Sequence, residues 1–431
     1  MHDTIVIGGG PAGSSAATFL ARQGHSVLLF EREQFPRFQI GESLLPYNND
    51  LFRDLGVMET LRGRATFPKH GAEFVTADEK IRYVFRFAQN LPEQYAQSFQ
   101  VSRADFDDIL LRNAAASGVD VRERMLVTDV DLSDPHRVII GVKDSDGQRS
   151  EHQARFLIDA SGHGAFLGNK LGARTDEPSL KKISIFGHYR GVAGRPQGLD
   201  AGNTVIIILR DAWLWSIPLD EQMTSVGLVV DRDFVKNSAL SPQEILKETI
   251  RNTSYTAKRM QSAELVGPVR TRKDFSYRMG SAVGPNYCLV GDAAGFFDPI
   301  FSTGVFMGMK TGQLAADAVH AWLARGDRRP FVRYDRTLKK AMGRYFAFIS
   351  RFYRREFLEV FLNPQERFGL LPVIVSLLAG DVFEKKSGRW RLMLFFALTQ
   401  IQKRKPVIAP SIGWDALPRA AGSKLPEESF V

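Results

Sequence analysis

The residues 4–33, TIVIGGGPAGSSAATFLARQGHSVLLFERE, hold three glycines at the spacing Gly8-x-Gly10-x-x-Gly13 between an apolar run, Thr4–Ile7, and an Ala-rich stretch, Ala12–Arg22. That spacing suits a dinucleotide. Gly8 permits a tight turn, Gly10 lets backbone approach a pyrophosphate, and Gly13 lets the following helix lie against the sheet. The helix start then offers unpaired N–H groups and a positive dipole end to the phosphates. Gly24 ends the helix, Ser26–Phe30 form the next strand, and Glu31 at its end suits a ribose diol. A second segment begins at Asn286, with strand Tyr287–Val290, then Gly291-Asp292, a loop, and a long helix from about Gly304. A carboxylate at that strand end can accept a hydrogen bond from a ribityl hydroxyl. The helix start at Thr303, Gly304 and Val305 aims its dipole at a ring that carries negative charge when reduced, which selects FAD over NAD. The third feature is DAWLWSIP, 211–218. Alternation sends Trp213 and Trp215 to one strand face, an unusual use of two of only five tryptophans.

The glycine turn and the GDA element together resemble the FAD-dependent aromatic hydroxylases and geranylgeranyl reductases. FLIDASG, 156–162, looks like a further strand of that domain, with Asp159 and Gly162 beside the cofactor. Arg103 in QVSRADFDDIL matches that family's arginine near the flavin. Three more segments, FQIGESLLP (38–46), FPKHGAEF (67–74) and WLWSIP (213–218), occur in the order found in flavin-dependent halogenases. The likeness is to their phenol and pyrrole branch. It runs from residue 1 to about 330 and continues loosely to LLAGDVF, 377–383.

The resemblance implies FAD contacts from Gly8, Gly10, Ala12, Gly13, Glu31, Arg37, Ile40 and Ser43 in the first part of the chain. Further contacts are implied from Arg103, Val127, Asp159, Gly291, Asp292, Pro299, Gly304 and Val305. It implies a chloride or bromide on the N–H groups of Thr303 and Gly304, and no metal. Reduced FAD and O2 would give a flavin hydroperoxide, the halide would be oxidised to hypohalous acid, and this would travel to Lys69. As an ammonium Lys69 would donate a hydrogen bond to it. As a neutral amine, favoured if burial lowers a pKa of about 10.4, it would form a haloamine. Ser302 would orient Lys69, while Trp213 and Trp215 would keep an aromatic substrate away from the oxidant.

Tryptophan-specific halogenases carry a glutamate where this chain has Phe301, and they are longer. The implied substrate is therefore an electron-rich aromatic such as a phenol or pyrrole, free or tethered to an acyl-carrier protein. A formal charge of +9 is compatible with an acidic carrier. No second GxGxxG in strand–helix context occurs, so a separate flavin reductase is expected. Competing readings are a monooxygenase that hydroxylates its substrate, a geranylgeranyl-type reductase, and a flavoprotein without catalysis.

These residues need a scaffold, and 431 residues are too many for one compact core. The expected fold class is α/β. A Rossmann-like FAD domain of the aromatic-hydroxylase type is split over 1–74, 100–180 and 276–330. An antiparallel-sheet substrate domain occupies 75–99 and 181–275, because KISIFGHYRGV, GNTVIIILRDAWLWSIPL and TSVGLVVD alternate like strands. A helical cap and mobile tail fill 331–431, where FAFISRFYRREFLEVFL and RWRLMLFFALTQIQ have helical periodicity. The lone Cys288 excludes a disulfide framework and a cysteine metal cluster, and fits a reducing cytoplasm. Basic residues are scattered without a nucleic-acid-binding signature, so nucleic acid is not an expected partner. No secretory signal or apolar run of roughly 18 residues appears, and membrane contact is not expected.

Overall fold

The apolar runs at the start of the chain become the centre of a sheet buried on both faces. The computed structural model describes residues 1–64, 66–273, 276–364, 369–383 and 389–422. Strand His2–Ile7 pairs in parallel with Val27–Phe30 on one side and Arg149–Asp159 on the other. Asp120–Arg122 extends one edge, and Tyr287–Leu289 lies parallel to the end of Arg149–Asp159. The outer half of that long strand continues antiparallel into Arg137–Lys143 and Leu126–Asp134. Buried parallel strands need continuous apolar runs, and VLLF at 27–30 is buried throughout. Helix Pro11–Arg22 crosses between the first two strands and packs on helix Gly304–Arg325.

A second sheet runs in the order Glu264–Lys273, Lys182–Arg190, Met223–Asp231, Trp213–Pro218, Thr204–Ile208, Gly71–Thr76, Arg82–Arg86. Alternation divides its side chains between two cores. Val205, Ile207, Leu214, Val226 and Leu228 face outward, onto helix Pro242–Asn252. Trp213, Trp215, Ile217 and Ile206 face inward, toward the first domain. Gly71–Thr76 pairs in parallel with Thr204–Ile208, so it belongs to this second sheet. The expected boundary at 74 therefore falls inside a strand of the covering sheet.

The chain after Arg325 is helical, in Arg329–Phe352, Arg355–Phe361, Leu370–Ala379 and Arg389–Arg404. Its inner faces are aromatic: Phe348 touches Phe301, Phe357, Phe361 and Phe395. No helix among the described residues is long and apolar enough to cross a membrane. The tail expected to be mobile lies, from residue 423, outside the described residues.

Candidate active site

One elongated cavity of about 420 Å³ runs from the glycine turn to the tryptophan strand. At one end Gly8 and Gly10 line it, and Gly10 starts helix Pro11–Arg22 with no side-chain cap. Gly8 has φ +99, and a Cβ there would lie 2.5 Å from the Ala160 carbonyl oxygen. At Gly13 a Cβ would lie 1.9 Å from the Gly8 carbonyl oxygen, so only glycine permits this turn. Gly13 does not itself line the cavity; it serves the close packing behind it. The Glu31 carboxylate accepts from the Gly9 and Glu33 N–H groups at 2.7 and 2.9 Å, which fixes it at the cavity wall.

Arg37 and Arg103 line the cavity and share a carboxylate partner that no sequence motif marks. Both guanidiniums converge on the fully buried Asp107, Arg37 at 2.7 Å and Arg103 through two bonds of 2.8 Å. Arg103 also donates to the Ile40 carbonyl at 2.6 Å, so this cluster holds the loop carrying Ile40 and Ser43 against the cavity. Val127, Ala12, Pro299 and Val305 line it too.

Asp159 and Gly291, like Gly13, stand off the cavity wall. Asp159 is fully buried and absent from the cavity wall, because its oxygens accept from the Ser161 and Leu167 N–H groups at 2.9 and 2.8 Å. Burial pushes its carboxyl upward from the usual range. Gly291 also lies off the wall: its N–H donates to Thr311 at 2.8 Å, and a Cβ there would lie 3.1 Å from both Ala12 and Gly308. Asp292 does line the cavity and pairs with His163 at 3.0 Å, a partner invisible in the sequence.

Helix Gly304–Arg325 supplies a further part of the wall. Gly304, Gly308 and Gly312 recur every fourth residue, and a Cβ at Gly308 or Gly312 would lie 3.3 Å from the Ala12 Cβ or 2.6 Å from the Ala12 carbonyl. This close approach brings two helix N-termini to one cavity. Thr303 starts the helix with no side-chain cap, and Thr303 and Gly304 both line the wall. Two uncapped helix starts, with the Glu31 and Asp292 carboxylates in the same wall, suit a molecule with a pyrophosphate, hydroxyl-bearing sugar and ribityl groups, and a ring anionic when reduced. The residues present fit FAD.

Lys69 ends strand Thr66–Lys69, which pairs with Ser98–Val101 and so sits beneath the loop 40–45. It is 2% exposed and does not line the cavity. Its Nζ donates to Ser43 Oγ at 2.8 Å and the Leu44 carbonyl at 3.1 Å, and lies 5.7 Å from the Phe87 ring centroid. Burial lowers its pKa from 10.5 to about 7. Ser43 Oγ in turn meets Thr204 Oγ1 at 2.9 Å, and Gln100 donates to Thr204 at 2.9 Å. Ser43 and Thr204 both line the cavity, so the amine stands one hydroxyl behind its wall.

The serine that meets the amine is Ser43, while Ser302, expected to orient Lys69, makes no hydrogen bond to it. Ser302 instead adopts φ +55, a left-handed conformation unusual outside glycine, in the turn between Pro299–Phe301 and Thr303. Trp213 and Trp215 line the cavity with ring centroids 5.9 Å apart and are 2% and 5% exposed. Phe301 is buried against Phe348 and Phe352.

The family model described as tryptophan halogenase matches residues 3–97 and 88–357. The chain belongs to the flavin-dependent halogenases. It is 32% identical over 410 residues to the 1H-pyrrole-2-carbonyl-[peptidyl-carrier protein] chlorinase of Pseudomonas fluorescens, covering 89% of this chain and 90% of that one. The corresponding brominase of Pseudoalteromonas luteoviolacea is 33% identical over 337 residues, 77% of this chain and 81% of that one. Among solved structures, the flavin-dependent brominase Bmp2 superposes with a TM-score of 0.80 at 31% identity, over 94% of this chain and all of that one. This halogenase therefore uses FAD as FADH2, O2 and a halide, and has the expected fold class. The hydroxylase, reductase and non-catalytic readings give way to it.

Proposed function

We propose that this halogenase chlorinates or brominates a pyrrole or phenol presented on an acyl-carrier protein, with Lys69 as the group that passes the halogen on. The buried Lys69–Ser43 pair directly behind the cavity wall carries this reading. Bound FADH2 and the halide supply the four electrons that take O2 to water and hypohalous acid. The residues of the chain then control where the oxidised halogen goes. Thr303 and Gly304 offer N–H groups to the halide. Trp213 and Trp215 close the approach by which an aromatic ring would reach the flavin. Ser43 and Thr204 form the polar spot in the wall through which a small hydrogen-bonding molecule is handed to Lys69.

A lysine with a pKa of about 7 holds both protonation states at neutral pH. The ammonium polarises hypohalous acid by hydrogen bonding. The neutral amine instead attacks the halogen, forming an N–X bond as the O–X bond breaks and hydroxide departs. For the substrate, the support is the naming of both pyrrolyl-carrier relatives and the absence of a carboxylate at Phe301. A pyrrole or phenol is electron-rich enough to meet the halogen unaided. A separate flavin reductase supplies FADH2, and the buried, unpaired Cys288 suits a reducing cytoplasm.

The test supplies the purified chain with a flavin reductase, NADH, chloride or bromide, and pyrrole, phenol and indole acids both free and carrier-bound. Mass spectrometry is expected to find halogen on the carrier-bound pyrrole or phenol. Hydroxylated products independent of halide would refute the assignment, and turnover of free acids alone would refute the carrier.

A further inference from the structure

The two barrier indoles face one cavity but are held from different sides. Trp215 is secured within its own sheet. Its N–H donates to Ser225 on the neighbouring strand at 3.1 Å, and its ring lies over Gly227. Trp213 reaches out of the sheet, donating to the Tyr353 hydroxyl at 3.0 Å, and Tyr353 closes the end of helix Arg329–Phe352. That hydroxyl donates to Asp298 Oδ2 at 2.7 Å. Asp298 is 1% exposed, and its other oxygen accepts from the Ile300 N–H at 3.0 Å, capping the turn that leads through Ser302 to Thr303 and Gly304.

The direction of this chain is forced. An indole N–H can only donate and an ionised carboxylate can only accept, so the single Tyr353 proton must point to Asp298 and its lone pair to Trp213. Such a chain polarises along its length. Lys182 Nζ lies 4.3 Å from the centre of the Tyr353 ring and pairs with Asp231 at 2.9 Å, placing a cation beside the chain. Burial raises the Asp298 carboxyl to about 6, still ionised at neutral pH.

We propose that Tyr353 and Asp298 are positioning residues for halogenation, which lock Trp213 into the barrier and tie the barrier to the halide turn. The inference rests on the reading of Trp213 and Trp215 as that barrier. It gives the C-terminal helices a part in the reaction: the end of one must be seated for the flavin cavity to be closed. Neither residue touches the reacting atoms, so their loss alters where the oxidised halogen and oxygen go.

The experiment uses the full chain with bound FAD, a flavin reductase, bromide and an accepted aromatic. Peroxide released and halogen incorporated are measured per O2 consumed. Tyr353→Phe keeps the ring and deletes the hydroxyl. The peroxide-to-halogen ratio is expected to rise about fivefold, the ratio equivalent of one typical hydrogen bond. Asp298→Asn is expected to move it in the same direction and decides the matter if Tyr353→Phe does not fold. Trp213→Phe with Tyr353→Phe is expected to be no worse than Trp213→Phe alone, because without the indole N–H the Tyr353–Asp298 pair no longer reaches the barrier. Melting temperature and FAD bound per chain are read alongside, since loss of structure alone would lower FAD content without that non-additivity. A parent-like ratio in both Tyr353→Phe and Asp298→Asn, or additive effects in the double variant, would overturn the positioning role. If Trp213→Ala itself leaves the ratio unchanged, the barrier reading fails, and the positioning role falls with it.

Discussion

Replacing Lys69 by Met keeps the length of the side chain and its apolar stem while deleting the amine, so activity and stability should part company. Halogenated product is expected to fall by about 10²–10⁴-fold, the range for losing a proton-handling group, while FADH2 oxidation and peroxide release continue. Stability should move the other way. The unfolded chain keeps the lysine proton up to about 10.5, whereas the folded chain releases it near 7. Between those values the folded state holds fewer protons, so the stability of the parent rises with pH by about 1.4 kcal/mol per unit. Burying this lysine therefore costs about 4 kcal/mol at pH 7 and about 1 kcal/mol at pH 9.5. Methionine escapes that cost but deprives Ser43 and the Leu44 carbonyl of a donor, about 1 kcal/mol each. Lys69→Met should thus be about 2 kcal/mol more stable than the parent at pH 7 and about 1 kcal/mol less stable at pH 9.5. Urea unfolding of both proteins at the two pH values measures this. A variant less stable than the parent at pH 7, or a gap that does not change with pH, would refute a buried lysine of lowered pKa.

Gly13→Ala places a Cβ 1.9 Å from the Gly8 carbonyl oxygen, and the strain of about 1–3 kcal/mol should weaken FAD binding about 5- to 150-fold, read as flavin absorbance per chain. Asp107→Ala leaves the Arg37 and Arg103 guanidiniums facing each other without their shared carboxylate. A loss of about 3–5 kcal/mol is expected, seen as a lower unfolding midpoint and poorer FAD retention. Gly227→Ala puts a Cβ 2.2 Å from the Trp215 ring, so it should tilt the indole, cost about 1–3 kcal/mol, and raise peroxide release per O2 consumed.

Features legible in the sequence were those whose physics is local. The glycine turn, its flanking strands and Glu31 lie within one βαβ unit, and the alternation of Trp213 and Trp215 needs only a strand. Illegible features were pairings made by the fold. Ser43 meets Lys69 because Ser43 bridges Gln100 and Lys69 pairs with Ser98, two registers that no spacing records. Without them, Ser302 was the serine that the resemblance offered. Asp159 ends its strand as a cofactor carboxylate would, yet the turn after it claims both oxygens. Asp107 was hidden for a related reason: it sits one helical turn after Arg103, an ordinary surface pairing until Arg37 arrives from another part of the chain. The expected boundary at 74 cut the strand Gly71–Thr76, whose parallel partner comes from 204–208.

The central claim is that an aromatic substrate never meets the flavin and that only an oxidised halogen crosses to Lys69. Turnover under ¹⁸O2 with bromide and an accepted pyrrole or phenol tests it most directly, by the isotope content of the organic product. A brominated product free of ¹⁸O is the expected result. Incorporation of ¹⁸O into the ring would contradict the claim, because it requires the substrate to reach the oxygen on the flavin side of Trp213 and Trp215.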